Sequence, residues 1–204
     1  MTGVASGWTV PPEADQSAFV IDAVMADPLA RIVLERAHGL DLPDWALMAG
    51  AVYKAVWNVQ TGRPGGHGIN DYDLGYFDAA DLGAAAEAAV VGPAEARFAD
   101  LPVPVEVCNQ ARVHIWFNEA YGTRRDPLVD TNDALRHFAS PTHAVAIRLN
   151  GDGQPELLAP FGLAAVFSRT IRPTPDLAGP EAWNRKIAEQ SRLWPELDFL
   201  AAPV

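Results

Sequence analysis

The sequence predicts an α/β or α+β domain with one short mixed sheet flanked by helices. Apolar residues recur at helical spacing in several segments, among them residues 17–27, 29–37 and 51–62. Short apolar or alternating segments at 44–49 and 71–77 lie between them, a pattern typical of strands. The chain has 204 residues, of which 49% are hydrophobic and 20% charged, so we expect one domain spanning the whole length.

The first part of the chain is expected to be helical. Residues 1–16 are rich in Gly and Pro and predict a loose N-terminal segment. A first helix is predicted over 17–27, and Asp27 followed by Pro28 is typical of the N-cap and first turn of a second helix. Gly39 is expected to end that helix in the left-handed conformation.

A strand, a glycine and a helix follow in immediate succession. The apolar run 44–49 predicts a buried strand, Gly50 interrupts it, and Val52, Val56 and Val59 predict one buried face of the next helix. Residues 61–70 are dense in Gly and Pro and predict a loop. Residues 71–77 alternate with a period of two, which predicts a second strand.

The remainder of the chain completes the mixed pattern. Pro104 indicates that the strand at 103–108 lies at a sheet edge, and Thr131 is a candidate N-cap of a helix ending near 138. Residues 173–204 are expected to form a C-terminal helical appendage. The other predicted elements are a helix at 80–91, a strand at 112–117, a loop at 118–127, a hairpin of 143–149 with 156–158, and helices at 162–168 and 181–193.

Charge and cysteine content exclude several classes of function. The formal net charge is −11, and no run of Lys and Arg is longer than a pair such as Arg124 with Arg125, so an extensive nucleic-acid contact is disfavoured and a small acceptor is preferred. One cysteine, Cys108, excludes an intramolecular disulfide framework. The sequence has no apolar run long enough for a membrane span and no signal-peptide pattern, so we expect a cytoplasmic protein.

Three carboxylates form the sharpest candidate site. Asp71 and Asp73 are two residues apart on a predicted strand, so their side chains should project from one face and repel each other unless a cation is bound. Glu106 interrupts an otherwise apolar strand, where an unpaired charge would be costly. Together they indicate a Mg²⁺ or Mn²⁺ site. The alternatives are a solvated turn for the aspartates and a solvent-facing Glu106.

The junction at Gly50 is a second candidate. Gly50 and Ala51 open a predicted helix whose N-terminal N–H groups and dipole favour a phosphate. Lys54 and Arg112 are candidate phosphate ligands, although a solvated Lys54 and a structural salt bridge at Arg112 remain open. No nucleophile-elbow or Walker-type motif is found.

Four longer strings of the sequence are informative together: AGAVYKAVWNVQTGRP at 49–64, INDYDLGYFDA at 69–79, VEVCNQARVHIWF at 105–117 and APFGL at 159–163. They resemble a bacterial nucleotidyltransferase-like family, formerly a domain of unknown function, within the DNA polymerase β-like superfamily. The resemblance covers about residues 28–197. It implies the minimal polymerase β-like fold, with the triphosphate of an NTP near Gly50 and metals held by Asp71, Asp73 and Glu106.

The resemblance implies transfer of a nucleoside monophosphate from an NTP to an acceptor hydroxyl, with release of pyrophosphate. A protein that keeps the fold and binds a nucleotide or another ligand without turnover is the alternative. A protein-interaction module with a merely solvated acidic surface is a third possibility.

Overall fold

A five-stranded mixed sheet lies at the centre of the protein. The computed structural model describes residues 7–122 and 124–203, and the predicted loose segment 1–16 lies partly outside them. The elements within these residues, in chain order, are α1 Glu13–Met25, α2 Pro28–His38, β1 Ala46–Met48, α3 Gly50–Thr61, β2 Tyr72–Tyr76, α4 Ala84–Ala96, β3 Val105–Asn109, a 3₁₀ turn Gln110–Arg112, α5 Val113–Tyr121, α6 Thr131–Arg136, β4 Ala146–Leu149, β5 Pro155–Leu158, β6 Thr170–Ile171, α7 Pro180–Leu193 and β7 Asp198–Phe199.

The strand order of the central sheet is β3-β2-β1-β4-β5. β2 and β3 are parallel, whereas the other neighbouring pairs are antiparallel. The predicted mixed sheet flanked by helices is therefore confirmed. β3 lies at an edge, as Pro104 indicated, and α4 covers that edge because its Glu95 and Glu87 side chains accept hydrogen bonds from the backbone N–H groups of Val107 and Asn109.

Helix α3 runs through the core. The predicted apolar face is only partly right, since Val52 and Val56 are fully buried but Val59 is 49% exposed. Lys54 and Trp57, which lie off that face, are buried as well. The reason is that α3 contacts α1 on one side and β1 and β2 on another, so a single apolar stripe does not describe it.

Two predicted elements are wrong in type. Residues 112–117 form the end of the 3₁₀ turn and the start of α5, not a strand. The Asn109 side chain accepts a hydrogen bond from the Ala111 N–H and thereby turns the chain away from the sheet. Helix α5 consequently extends to Tyr121, into the predicted loop, whereas residues 162–168 form turns in place of the predicted helix.

Several helix ends also differ from expectation. α1 begins at Glu13 and α4 is shifted to Ala84–Ala96. Gly39 ends α2 with a φ of −88°, outside the left-handed region. Asp130, not Thr131, caps α6, because the Asp130 side chain accepts from the Asp133 N–H while the Thr131 N–H donates to Asp44 Oδ2. Asp27 caps α2 as predicted.

The C-terminal residues pack onto α3. Trp183 and Trp194 are buried in the core, and the Trp194 indole N–H donates to Asn58 Oδ1 at 3.0 Å. Gln190 Nε2 donates to the Tyr53 hydroxyl at 3.0 Å. β6 and β7 pair in a two-stranded parallel sheet that the sequence did not predict. None of the described helices is long and apolar enough to cross a membrane.

Candidate active site

The acidic residues meet on one row of the central sheet. Met48 of β1, Asp73 of β2 and Glu106 of β3 lie opposite one another in register. Since adjacent strands are about 4.8 Å apart and paired residues project from the same face, the Asp73 and Glu106 side chains are immediate neighbours. The structure thus brings together two of the three predicted carboxylates through strand pairing.

Asp73 lies where two hollows meet. The smaller hollow has a volume of about 230 Å³ and is lined by Gly50, Lys54, Asp71 and Asp73. The larger hollow has a volume of about 480 Å³ and is lined by Asp73 and Glu106 together with largely apolar and aromatic side chains. The arrangement places Asp71 on the polar side of Asp73 and Glu106 on the more apolar side.

The environment of Asp73 disfavours its charge. Its side chain reaches solvent at the floor of the cleft but is surrounded by protein, and this loss of solvation is the largest cause that raises its pKa to about 6. The neighbouring charges of Asp71 and Glu106 raise the pKa further, whereas Lys186 and Lys54 oppose the rise. A cation bound beside Asp73 would relieve this repulsion.

The donor set fits a hard divalent cation in chemistry and position. Within residues 7–122 and 124–203, no group of three or more His, Cys, Asp or Glu side chains is gathered into a preformed metal cage. Mg²⁺ does not require one, because it binds one or two carboxylates together with waters and substrate phosphates. Asp73 with Asp71 or Glu106 supplies that number of ligands.

The N-terminus of α3 opens onto the smaller hollow. Ala49 precedes the helix with φ 45° and ψ −98°, a strained conformation for a residue with a side chain, and provides no side-chain cap. The Ala49 carbonyl accepts from the N–H groups of Val52 and Tyr53. The N–H groups of Gly50 and Ala51 remain as donors at the positive end of the helix dipole, and the buried Ala51 side chain leaves only its backbone for a ligand.

Lys54 lies directly beside this helix end. Its ammonium donates to the Gly68 carbonyl at 2.9 Å, and a Cβ built on Gly50 would lie 3.6 Å from Lys54 Nζ. Burial is the largest cause that lowers the pKa of Lys54, followed by the charge of Lys186, while Asp71 and Asp73 raise it. Lys54 is therefore a positioned, largely desolvated group in the smaller hollow, not the solvated lysine that the sequence left open.

Arg112 is not brought to the cleft. Its guanidinium pairs with Glu87 of α4, and its Nε donates to the Leu82 carbonyl at 2.9 Å. It takes part in the structural salt bridge that the sequence analysis left open. The geometry places Gly50, Lys54, Asp71, Asp73 and Glu106 around one cleft. Ala51 is buried behind Gly50 in the first turn of α3, and Arg112 is bound to α4.

A model of the family described as Nucleotidyltransferase matches residues 35–199 of the chain. The chain belongs to the nucleotidyltransferase family. The resemblance found in the sequence strings is thereby confirmed. No curated protein sequence matches this nucleotidyltransferase.

Solved structures share the fold. An NMR structure described as a CCA-adding enzyme head domain superimposes with a TM-score of 0.73 and 22% identity, covering 96% of this nucleotidyltransferase and 99% of that chain. Two structures of tRNA-processing enzymes give TM-scores of 0.48 and 0.44 at 16% identity, covering 82% and 94% of this chain and 43% and 45% of theirs. The first similarity confirms the predicted minimal polymerase β-like architecture.

Sequence reasoning did not assign Lys186 or Arg125 of this nucleotidyltransferase to the site, although both line the larger hollow. Lys186 of α7 lines both hollows, and its charge lowers the pKa of Asp73. A signal was present, because only two of the 15 cationic side chains are lysines and both, Lys54 and Lys186, lie beside Asp73.

Proposed function

We propose that the protein transfers a nucleoside monophosphate from an NTP to an acceptor hydroxyl and releases pyrophosphate. The observation that carries the proposal is the in-register pairing of Asp73 with Glu106, next to Asp71 and the N-terminus of α3. Phosphoryl transfer uses carboxylates that hold a metal ion and N–H groups that bind the phosphates, and this site offers both. Membership of the nucleotidyltransferase family supports the same reaction class.

The smaller hollow is the proposed triphosphate site. The N–H groups of Gly50 and Ala51 would donate to phosphate oxygens, and the Lys54 ammonium would neutralise the phosphate charge. Lys54 is held for this role by its hydrogen bond to Gly68. The opposite wall of the hollow carries Lys186, which would approach the phosphates from α7.

The carboxylates would hold Mg²⁺ or Mn²⁺ and position the acceptor. Asp71 and Asp73 would ligate the ion between the two hollows, and Glu106 would complete the site from the larger one. When bound, the ion supplies charge stabilisation at the oxygens of the transferred phosphoryl group. Glu106 also lies where it would accept the proton of the acceptor hydroxyl, because it faces the larger hollow.

The larger hollow is the proposed acceptor side. Its volume of about 480 Å³ falls within the range of small-molecule sites, and the net charge of −11 disfavours a long polyanion. Both observations support a small acceptor.

Pyrophosphate release from Mg-NTP tests the proposal over a panel of acceptors that includes sugars, nucleotides and short oligonucleotides. We expect Asp73→Asn and Glu106→Gln each to lose about a hundredfold or more in turnover while remaining folded, as is typical when a transition-state contact is removed. The exposed Asp152→Asn variant is the matched control, since it removes one carboxylate from the β4–β5 turn and should keep full activity. Chelation of divalent ions should abolish turnover.

Two outcomes would overturn this proposal. Turnover by folded Asp73→Asn at the wild-type rate would remove the carboxylates from the mechanism. Identical calorimetric binding of Mg-NTP by wild type and by the Asp71→Asn/Asp73→Asn double variant would remove them from the nucleotide site. Mg-NTP binding without pyrophosphate release over the whole panel would favour the alternative, a protein that binds the nucleotide without turnover.

A further inference from the structure

The larger hollow continues outward as a groove. Phe117, Arg125 and His137 line the larger hollow and also two adjoining hollows of about 220 and 480 Å³. Lys186 lines the first of these and both hollows at Asp73. The acceptor side is therefore not a closed pocket, because continuous lining side chains connect the reaction centre with Arg125.

Arg125 is a fixed and partly buried cation in this groove. Its guanidinium carbon lies 3.6 Å from the centroid of the Phe117 ring. Asn118 holds its backbone on both sides, accepting from the Arg125 N–H at 2.6 Å and donating to the carbonyl at 3.1 Å. An arginine that is already ordered loses less conformational entropy when an anion binds, and this favours binding.

No carboxylate lies within ion-pair distance of the Arg125 guanidinium among the described residues. The partly buried arginines elsewhere are paired, since Arg36, Arg63, Arg112 and Arg148 each contact an acidic side chain. Burial also lowers the pKa of Arg125. A desolvated cation without an anionic partner is costly in the free protein, and binding of an anion offsets that cost.

Aromatic side chains flank the same place. Trp116 lines the larger hollow and is 48% exposed, and its ring centroid lies 5.8 Å from that of Phe117. The Tyr121 ring also packs against Phe117, with the centroids 4.6 Å apart. Exposed aromatic rings beside a cation are the combination that binds the base and phosphate of a nucleotide.

We propose that the acceptor is a nucleotide whose phosphate binds Arg125 and whose base stacks against Trp116, with its reacting hydroxyl directed toward Glu106. The inference rests on the proposed function and names the acceptor class for that site. The adjoining hollow that contains Arg124 is lined by Asp126, Asp133 and Asp176, and Asp176 also lines the other adjoining hollow. Their charges repel a phosphate from both, so we place the phosphate at Arg125 within the larger hollow.

Calorimetric binding of adenosine, AMP and a five-residue oligoadenylate to the full chain tests the proposal, with the triphosphate site saturated by Mg²⁺ and a non-hydrolysable ATP analogue. We expect AMP to bind about tenfold more tightly than adenosine, the effect of one charge-assisted hydrogen bond. Arg125→Gln should abolish that preference while leaving adenosine binding unchanged. The exposed Arg192→Gln on α7 is the matched control and should preserve it.

Three comparisons separate the possible results. Equal affinity for adenosine and AMP in wild type, or an AMP preference that survives Arg125→Gln, would overturn the proposal. Oligoadenylate binding no tighter than AMP would identify a free nucleotide as the acceptor, whereas tighter, salt-dependent binding would identify the end of a single strand. If the ATP analogue does not bind, the proposed function fails, and the AMP and adenosine comparison without it still decides the role of Arg125.

Discussion

Removal of the Asp73 charge is expected to stabilise the protein while it abolishes activity. In the folded chain the pKa of Asp73 is raised from 3.8 to about 6, first by loss of solvation and then by the charge of Asp71. A carboxyl group with a raised pKa binds its proton more tightly in the folded than in the unfolded chain. Stability contributed by the protonated group is therefore present below pH 3.8 and is lost as the pH rises through about 6.

The size of the effect follows from that pKa. The full difference between 3.8 and about 6 corresponds to about 3 kcal/mol. Because the Asp73 side chain reaches solvent, we discount this for screening to about 1 kcal/mol. For a chain of this length, about 1 kcal/mol shifts the melting temperature by about 2–4 °C.

Thermal unfolding of wild type and Asp73→Asn without divalent ions, followed by circular dichroism, measures the difference. We expect the variant to melt about 2–4 °C higher above pH 7 and at the wild-type temperature near pH 4. Comparison at each pH cancels the titration of all groups common to both chains. Mg²⁺ should stabilise wild type more than the variant, since it neutralises the repelling carboxylates.

Asp152→Asn is again the control, because it removes an exposed carboxylate far from the cluster and should change stability by less than about 0.5 kcal/mol. A melting temperature of Asp73→Asn at or below that of wild type above pH 7 would refute the reasoning. A stabilisation that persisted unchanged at pH 4 would also refute it, since the charge would then not be its cause.

Three further predictions concern the groups around α3. Lys54→Met should weaken Mg-NTP binding about tenfold or more by calorimetry. It should not lower the melting temperature greatly, because the ion pairs among the described residues do not include Lys54 and burial disfavours its charge. Gly68→Ala should lower the free energy of unfolding, measured with denaturant, by more than about 2 kcal/mol, because φ is +69° and the added Cβ would overlap the Trp194 indole. Gly153→Ala is the control: with φ +73° and open space around the added Cβ, it should lower the free energy of unfolding by only about 1 kcal/mol. Burial lowers the pKa of His143 well below 6.5, so this group by itself should cost stability as the pH falls below 6.5, opposite in sign to Asp73. Relative to wild type, His143→Phe should therefore gain stability in thermal unfolding as the pH falls from 7 to 5, and a difference between the two chains that does not change with pH would contradict this.

Elements with a clear local pattern, such as strand alternation or a helix cap, were predicted correctly from the sequence. The alternation of residues 71–77 gave β2, Asp27 with Pro28 gave the start of α2, and Pro104 indicated the edge position of β3. The 112–117 segment failed because aromatic and β-branched residues are compatible with strand and helix alike. The Asn109 side chain decides between them through a hydrogen bond that composition does not reveal.

The residues of the candidate site were likewise only partly predictable from the sequence. Asp71 and Asp73 were found from their spacing of two residues, which predicts repulsion unless a cation binds. Glu106 was found because an unpaired charge in an apolar strand is costly. The cations around these carboxylates were not found, because Lys186 and Arg125 are distant from them in sequence and no local pattern connects them to the site. Only folding places them in one groove with Asp73.

The sequence by itself determined the mixed class, the helix after Gly50 and the identity of the acidic residues, since periodicity, caps and charge are local properties of the chain. The tertiary structure alone decided which strands pair, and thus that Asp73 lies opposite Glu106. It also decided that Lys54 is buried at the cleft and that Arg112 is bound to Glu87. These outcomes depend on long-range register and on desolvation by packed neighbours, which no local segment of the chain encodes.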